Sequence, residues 1–150
     1  FLALAVPARA AGAQVRPPKE DALLLVGAYN VQQGYGPGGW PNVRCVTELL
    51  ERSAVDVVGL SESGTVHPFT ANNDVSLAYG SALRMRYFQG VPGALQSVDE
   101  GILTRLPTDD VSASVLGPAR TRVWVRAKVR WHGVSIDFHA VHLGRASDSS

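Results

Sequence analysis

Three polar side chains in this sequence end apolar segments that are typical of buried strands. Asn30 ends the first such segment, Glu62 closes the second, and His142 lies near the end of the last. In sheet proteins, strand ends hold side chains in place while the adjoining loops admit a substrate. A carboxylate binds hard cations, an amide orients neighbouring groups, and an imidazole transfers protons near neutral pH. These residues could therefore serve metal-assisted acid-base chemistry at one shared mouth.

Each of the three residues also has an ordinary structural explanation. A carboxylate after a strand is commonly a solvated turn residue, a strand-end asparagine commonly forms a local turn, and a strand histidine is commonly structural. Asp99 and Glu100 precede the apolar segment 101–104 and could face the same mouth, but their position favours a turn. Taken singly, none of these residues indicates a site, and the hypothesis depends on their joint order.

Hydrophobic periodicity predicts the elements that would position the first two residues. An apolar strand over 22–30 is followed by a glycine-rich loop, and a helix is expected to start at Pro41 and end near Ser53. A second apolar strand spans 55–60. Strand, helix and strand in this order predict a right-handed crossover between parallel neighbours. The continuous apolar character of the first strand predicts burial on both faces.

Strand signals dominate the rest of the chain. A helix is expected over 73–86, although Gly80 disfavours it. Turn residues then separate three short predicted strands, over 87–91, 101–104 and 111–116.

The clearest pattern lies in the last third of the sequence. Residues 122–131 alternate polar and apolar, His132 and Gly133 form a turn, and residues 134–143 return as the second arm of a β-hairpin. The polar face of the first arm is basic, which on a surface strand is most often a matter of solubility. That face carries Arg122, Arg126, Lys128 and Arg130.

Composition fits one globular domain. The 150 residues are 45% hydrophobic and 18% charged, which is far from the composition of disordered chains. A net charge of +1 without long charge runs gives no indication of nucleic-acid binding. The lone Cys45 excludes an internal disulfide and is expected to pack as a small hydrophobic residue.

The N-terminal residues differ from the rest. Residues 1–13 are apolar but fewer than the about 20 that span a bilayer, so they suit a disordered tail or the end of a membrane or signal segment. Residues 17–21 indicate an extended polar linker, because they begin with two prolines. We therefore expect a tail and linker over 1–21 and a folded domain over 22–150.

Four segments together resemble the endonuclease/exonuclease/phosphatase superfamily. They are Val-Gly-Ala-Tyr-Asn-Val ending at Val31, Asp-Val-Val-Gly-Leu-Ser-Glu ending at Glu62, Glu-Gly-Ile-Leu-Thr-Arg-Leu-Pro ending at Pro107, and Phe-His-Ala-Val-His-Leu ending at Leu143. The resemblance covers residues 23–144. It implies an α+β fold, the deoxyribonuclease-like four-layer arrangement of two packed β-sheets flanked by helices, truncated here after its first half.

The same resemblance implies a role for each site residue. Glu62 would be the ligand of a Mg²⁺ cofactor, Asn30 would orient the site by hydrogen bonding, and His142 would act as general acid for the leaving group. The family's later motifs, an Asp-x-Asn and an Asp-His pair, have no counterpart before Ser150. The chain is therefore expected to be a partial domain that is nearly inactive alone.

A second set of segments carries a narrower resemblance: Glu62-Ser63, Pro68-Phe69, Asn72-Asn73-Asp74, Gly34-Tyr35 and Gly39-Trp40. They resemble the C-terminal domain of the membrane proteins that remodel GPI-anchor lipids toward ceramide. This resemblance implies a phospholipid or GPI-anchor phosphodiester substrate, a membrane region before residue 1, and a membrane-associated location, with the endoplasmic reticulum as a candidate compartment.

Two alternatives stay open. One is a catalytically inactive, membrane-tethered module that binds a lipid or a protein. The other is a nuclease of the same superfamily, to which a net charge of +1 gives little support.

Overall fold

A computed structural model describes the chain over residues 23–63, 75–90, 100–116 and 122–142. Within these ranges the backbone forms two α-helices, one short 3-10 helix at Gln32–Gly34, and seven strands. In chain order the helices and strands are β1 (Val26–Asn30), α1 (Val43–Ser53), β2 (Val57–Ser61), α2 (Val75–Leu83), β3 (Arg86–Gln89), β4 (Gly101–Thr104), β5 (Thr108–Leu116), β6 (Arg122–Trp131) and β7 (Val134–Val141).

The first sheet has the strand order β1-β2-β4-β3. β1 and β2 are parallel and are joined through α1, as the sequence predicts. β4 is antiparallel to both β2 and β3. The register places Asn30 opposite Ser61 and Gly101 opposite Leu60. The C-terminal ends of β1 and β2 and the start of β4 therefore lie at the same end of the sheet.

The second sheet is antiparallel, with the order β5-β6-β7. The predicted hairpin is confirmed, because Trp131 pairs with Val134 across a two-residue turn. Both turn residues, His132 and Gly133, have positive φ angles of 46° and 80°, as a tight hairpin turn between twisted strands requires. β7 ends at Val141, so His142 is the first residue beyond this strand.

The two sheets pack face to face through alternate residues of their strands. Gly59 of β2 lies where the sheets approach closely, since a Cβ there would be 3.2 Å from the Cβ of Ala140 in β7. This contact brings the ends of β2 and β7 together. The buried residues of this core are Val57, Ile102, Leu106, Val123, Val125, Ala127, Val129 and Ala140.

Helices cover the opposite face of the first sheet. Val46 and Leu50 of α1 pack with Tyr79 of α2 against apolar side chains of β2 and β4. No described helix is long and apolar enough to cross a membrane. The two-sheet α+β architecture expected from the sequence is thus confirmed.

Several boundaries differ from those expected. α1 begins at Val43 and not at Pro41, because Pro41 pairs with Tyr35 in an isolated bridge. α2 ends at Leu83 and not at residue 86. Arg84 adopts a left-handed φ of 53°, and the Met85 N–H donates to the Gly80 carbonyl at 2.9 Å, which together form a Schellman cap. β3 begins one residue earlier than predicted, and β5 three residues earlier.

Two predictions of burial were wrong. β1 is not buried on both faces: exposed and half-buried residues alternate along it, and Val26 is 54% exposed. The reason is its place at the edge of the described sheet, where it pairs with β2 alone among the described strands. Cys45 is exposed, because it lies on the face of α1 opposite Val46 and Leu50.

Candidate active site

The C-terminal ends of β1, β2 and β7 bring three polar residues together, namely Asn30, Glu62 and His142. The Asn30 side-chain amide donates through Nδ2 to Oε1 of Glu62 at 2.9 Å. The same Oε1 lies 4.0 Å from Nδ1 of His142. The structure therefore brings the three sequence-predicted residues together, while their chemical roles stay predictions.

Asn30 joins the two parallel strands at their ends. Its Oδ1 accepts from the Gln32 N–H at 2.8 Å, which leaves Nδ2 as the group that faces Glu62. Two backbone hydrogen bonds reinforce this junction, from the Val31 N–H to the Ser61 carbonyl and from the Gln33 N–H to the Glu62 carbonyl. The position of the Glu62 carboxylate is thus fixed from both its backbone and its side chain.

Glu62 has a backbone conformation that L-residues seldom adopt. Its φ is 56°, and Gln32 and Gln33 beside it also have positive φ angles, of 47° and 56°. Such conformations cost about 1–3 kcal/mol each and are concentrated at functional sites. The turn at Glu62 ends β2 and leaves the carboxylate 26% exposed, at the surface but not free in solvent.

Glu100 is a fourth member of the site, and the sequence-based preference for a turn residue was wrong for it. Its side chain is only 1% exposed, and its Oε1 lies 3.7 Å from Nδ1 of His142. Asp99 lies outside the described residues. β4 is antiparallel to β2 and Gly101 pairs with Leu60, so Glu100 lies beside the end of β2, which Glu62 directly follows in the sequence. The sequence signal was an acidic residue directly before a short apolar strand. The burial of this residue beside the site could not be inferred without the pairing of β4 with β2.

A buried carboxylate is costly unless a charged or hydrogen-bonding group lies beside it. One such group beside Glu100 is Nδ1 of His142, at 3.7 Å from Oε1, which is ion-pair distance and longer than a hydrogen bond. Nδ1 of His142 is buried and makes no hydrogen bond within the described part of the chain. Contact through Nδ1 leaves Nε2 as the nitrogen that can meet a substrate. Glu100 is therefore placed to orient the imidazole.

The donor atoms suit a magnesium ion that keeps most of its water. Among the described residues, no three His, Cys, Asp or Glu side chains form a cage for a metal. Magnesium seldom needs one, because it is commonly held by one or two carboxylates, several waters and the substrate phosphate. The partly exposed carboxylate of Glu62, fixed by Asn30, is a donor of this kind.

Comparisons with known proteins give structural neighbours but no sequence relatives. No family model matches the chain, and no curated protein matches it. An endonuclease/exonuclease/phosphatase from Beutenbergia cavernae superposes with a TM-score of 0.63 at 17% identity, over 82% of this chain and 39% of that one. An endonuclease/exonuclease/phosphatase family protein from Leptotrichia buccalis gives 0.63 at 12% identity, over 85% and 56%. TDP2 from D. rerio gives 0.65 at 18% identity, over 86% and 49%.

This chain has the endonuclease/exonuclease/phosphatase fold. The likeness shows the fold alone, since the identities are all below 20%. The chain spans between 39% and 56% of the length of these three neighbours. The endonuclease/exonuclease/phosphatase fold expected from the four sequence segments is thereby confirmed, and the activity is treated below as a proposal.

Two arginines on the basic face of β6 form ion pairs with carboxylates of the neighbouring strands in the second sheet. Arg126 forms ion pairs with Asp110 of β5 at 2.9 Å and with Asp137 of β7 at 2.7 Å. Arg130 pairs with Asp109 at 2.9 Å. Arg126 and Arg130 therefore belong to a network of mixed charge on the surface of the second sheet.

Proposed function

We propose that this chain belongs to a magnesium-dependent phosphodiesterase whose site includes Asn30, Glu62, Glu100 and His142. The observation that supports this most is the convergence of two carboxylates, an amide and an imidazole at one sheet edge. The endonuclease/exonuclease/phosphatase fold of the chain is a second observation that supports the proposal. A site of this composition can hold a hard cation and protonate a leaving oxygen, which are two of the needs of phosphodiester hydrolysis; the third is a water that attacks phosphorus as the bond to the leaving oxygen breaks.

Each residue has a distinct task in this proposal. Glu62 would hold the magnesium ion, which when bound neutralises charge that develops on the phosphoryl oxygens. Asn30 keeps the Glu62 carboxylate in one orientation through its 2.9 Å hydrogen bond. His142 donates a proton to the leaving oxygen, and Glu100 orients its imidazole from the buried side.

For the substrate we propose a phosphodiester of a phospholipid or a GPI-anchor intermediate, with the protein at a membrane. The support is the narrower sequence resemblance together with the charges around the site. A nuclease is the second candidate, because one structural neighbour, TDP2 from D. rerio, was crystallised with a single strand DNA product. Nucleic-acid binding depends on cations that meet phosphates, and Arg126 and Arg130 of β6 already face carboxylates. This observation favours the lipid.

The test is hydrolysis of a water-soluble diester, bis(4-nitrophenyl) phosphate, by the full-length gene product. We expect release of nitrophenol with Mg²⁺, none with a chelator, and a loss of roughly a hundredfold or more in Glu62→Gln. Glu51→Gln, on an exposed turn of α1, is the matched control and should keep the activity of the parent. Equal activity in the parent and in Glu62→Gln contradicts the proposal.

The alternative of an inactive binding module makes the opposite prediction. Binding of a lipid head group should then persist in the presence of a chelator and in Glu62→Gln. Loss of head-group binding on chelation argues against the module and for the metal-dependent site.

A further inference from the structure

An exposed tryptophan lies on the loop that leads from β1 to α1. Trp40 is 77% exposed, and Pro37, Gly38, Gly39 and Pro41 around it are also exposed. We refer to residues 36–41 as the Trp40 turn. Removing a large aromatic side chain from water is strongly favourable, so Trp40 is in a position to anchor a partner.

The backbone of the Trp40 turn is well defined. The Gly39 N–H donates to the Gly36 carbonyl at 3.1 Å, which closes a four-residue turn with Pro37 second and Gly38 third. Gly38 has a φ of 82°, so the turn has the proline and glycine positions of type II. The Gly36 N–H also donates to the Trp40 carbonyl at 2.8 Å. The indole is thus presented on a closed turn.

The base of the Trp40 turn is tied to the active site. Asn42 donates through Nδ2 to the carbonyls of Tyr35 at 2.7 Å and Val31 at 3.4 Å. Its Oδ1 accepts from the hydroxyl of the buried Tyr79 at 3.0 Å. The chain just before the turn bonds to the backbone of Glu62 through Gln33. The turn is therefore linked to the backbone of Glu62 by a series of hydrogen bonds.

The sequence on both sides of the Trp40 turn carries no charge, which suits contact with a lipid surface. The sequence has no charged residue between Asp21 and Arg44. Arg44, the first cation after the turn, pairs with Glu48 at 2.9 Å. Tryptophan is enriched where a membrane meets water, because its indole is apolar with one polar N–H.

We propose that the Trp40 turn inserts into the head-group layer of a lipid bilayer and so places the Glu62 mouth at the membrane surface. This inference rests on the proposed phosphodiesterase function and adds the physical form of its substrate, a lipid that stays in its bilayer. A stacking platform for single-stranded nucleic acid would need cations along the phosphate path. The residues described at this mouth are two carboxylates, an amide and a histidine.

The test is co-sedimentation of this chain with phosphatidylcholine vesicles. We expect binding that Trp40→Ala weakens about tenfold or more, as when one large aromatic side chain no longer leaves water. Trp40→Phe should retain most of the binding, and it guards against a folding defect in the alanine variant. Leu49→Ala, which removes a 46% exposed apolar side chain from α1, is the matched control and should bind as the parent does.

Three results overturn the inference: no vesicle binding by the parent, equal binding by the parent and Trp40→Ala, or Trp40-dependent binding of a single-stranded oligonucleotide in place of vesicles. The outcome is separable from that of the proposed function, because vesicle binding needs no hydrolysis and the hydrolysis assay uses a soluble diester. Vesicle binding without diesterase activity would support insertion of the Trp40 turn and contradict the phosphodiesterase function. Diesterase activity without vesicle binding would support the phosphodiesterase function and contradict insertion of the turn.

Discussion

Gly101 is the position where a single methyl group tests the geometry of the site most sharply. It is the first residue of β4 and directly follows Glu100. A Cβ at this position would lie 2.7 Å from Cε2 of Tyr87 and 3.2 Å from the Oγ atoms of Ser63 and Ser76. Three separate side chains thus enclose the space where the methyl group of Gly101→Ala would stand.

The cost follows from this packing. A carbon-carbon distance of 2.7 Å is about 1 Å shorter than a comfortable contact, so the Tyr87 ring or the start of β4 must move. Overpacking of this kind costs typically about 1–3 kcal/mol of unfolding free energy. For a domain of this size that corresponds to a fall of roughly 3–9 °C in the melting temperature.

Thermal unfolding followed by circular dichroism measures the effect. Gly36→Ala is the matched control, because a Cβ there meets only ordinary contacts at 3.5 Å and 3.7 Å. We expect Gly101→Ala to melt well below the parent and Gly36→Ala to melt near it. Equal melting temperatures for the two variants would refute the packing that the structure gives to the start of β4.

Three further predictions concern the site and the core that supports it. Asn30→Ala should lower Mn²⁺ affinity about tenfold to a hundredfold, measured by electron paramagnetic resonance, because it removes the hydrogen bond that fixes Glu62. Leu60→Ala, at a fully buried position of β2, should cost about 2–5 kcal/mol in urea unfolding, and Leu49→Ala, at an exposed one, far less. Tyr79→Phe should cost about 0.5–1.5 kcal/mol in the same assay, since it removes the hydroxyl that donates to Asn42.

Tyr79 also shows how firmly this part of the chain is buried. Burial raises the pKa of its phenol above the ordinary value, with a smaller contribution from Tyr29. Deprotonation of Tyr79 at high pH therefore opposes the folded state, since the folded pKa exceeds the unfolded one. The neutral phenol is the form that donates to Asn42 and supports the Trp40 turn.

The sequence was most informative where its pattern is local. The alternation in β6 and β7 and the turn at His132 and Gly133 predict the hairpin almost to the residue, because side chains on a strand alternate between two faces. The βαβ order likewise predicts the parallel pairing of β1 with β2. Asn30 and Glu62 could be placed together on this basis, since parallel strands end at the same edge.

The features that sequence reasoning missed depend on contacts between distant segments. The burial of Glu100 follows from the pairing of β4 against β2, which no local pattern reveals. The exposure of β1 follows from its position at the sheet edge, although an apolar run equally fits a central strand. The Trp40 turn was noted only as a sequence resemblance, and its exposure is visible only in the structure.

The central claim is that Glu62 is the metal-binding carboxylate of this fold, and Mn²⁺ titration of this chain by electron paramagnetic resonance tests it most directly. Mn²⁺ stands in for Mg²⁺, because both prefer oxygen donors and octahedral coordination. We expect one bound Mn²⁺ that Mg²⁺ displaces, a large loss of affinity in Glu62→Gln, and none in the surface control Glu51→Gln. Unchanged Mn²⁺ affinity in Glu62→Gln would contradict it.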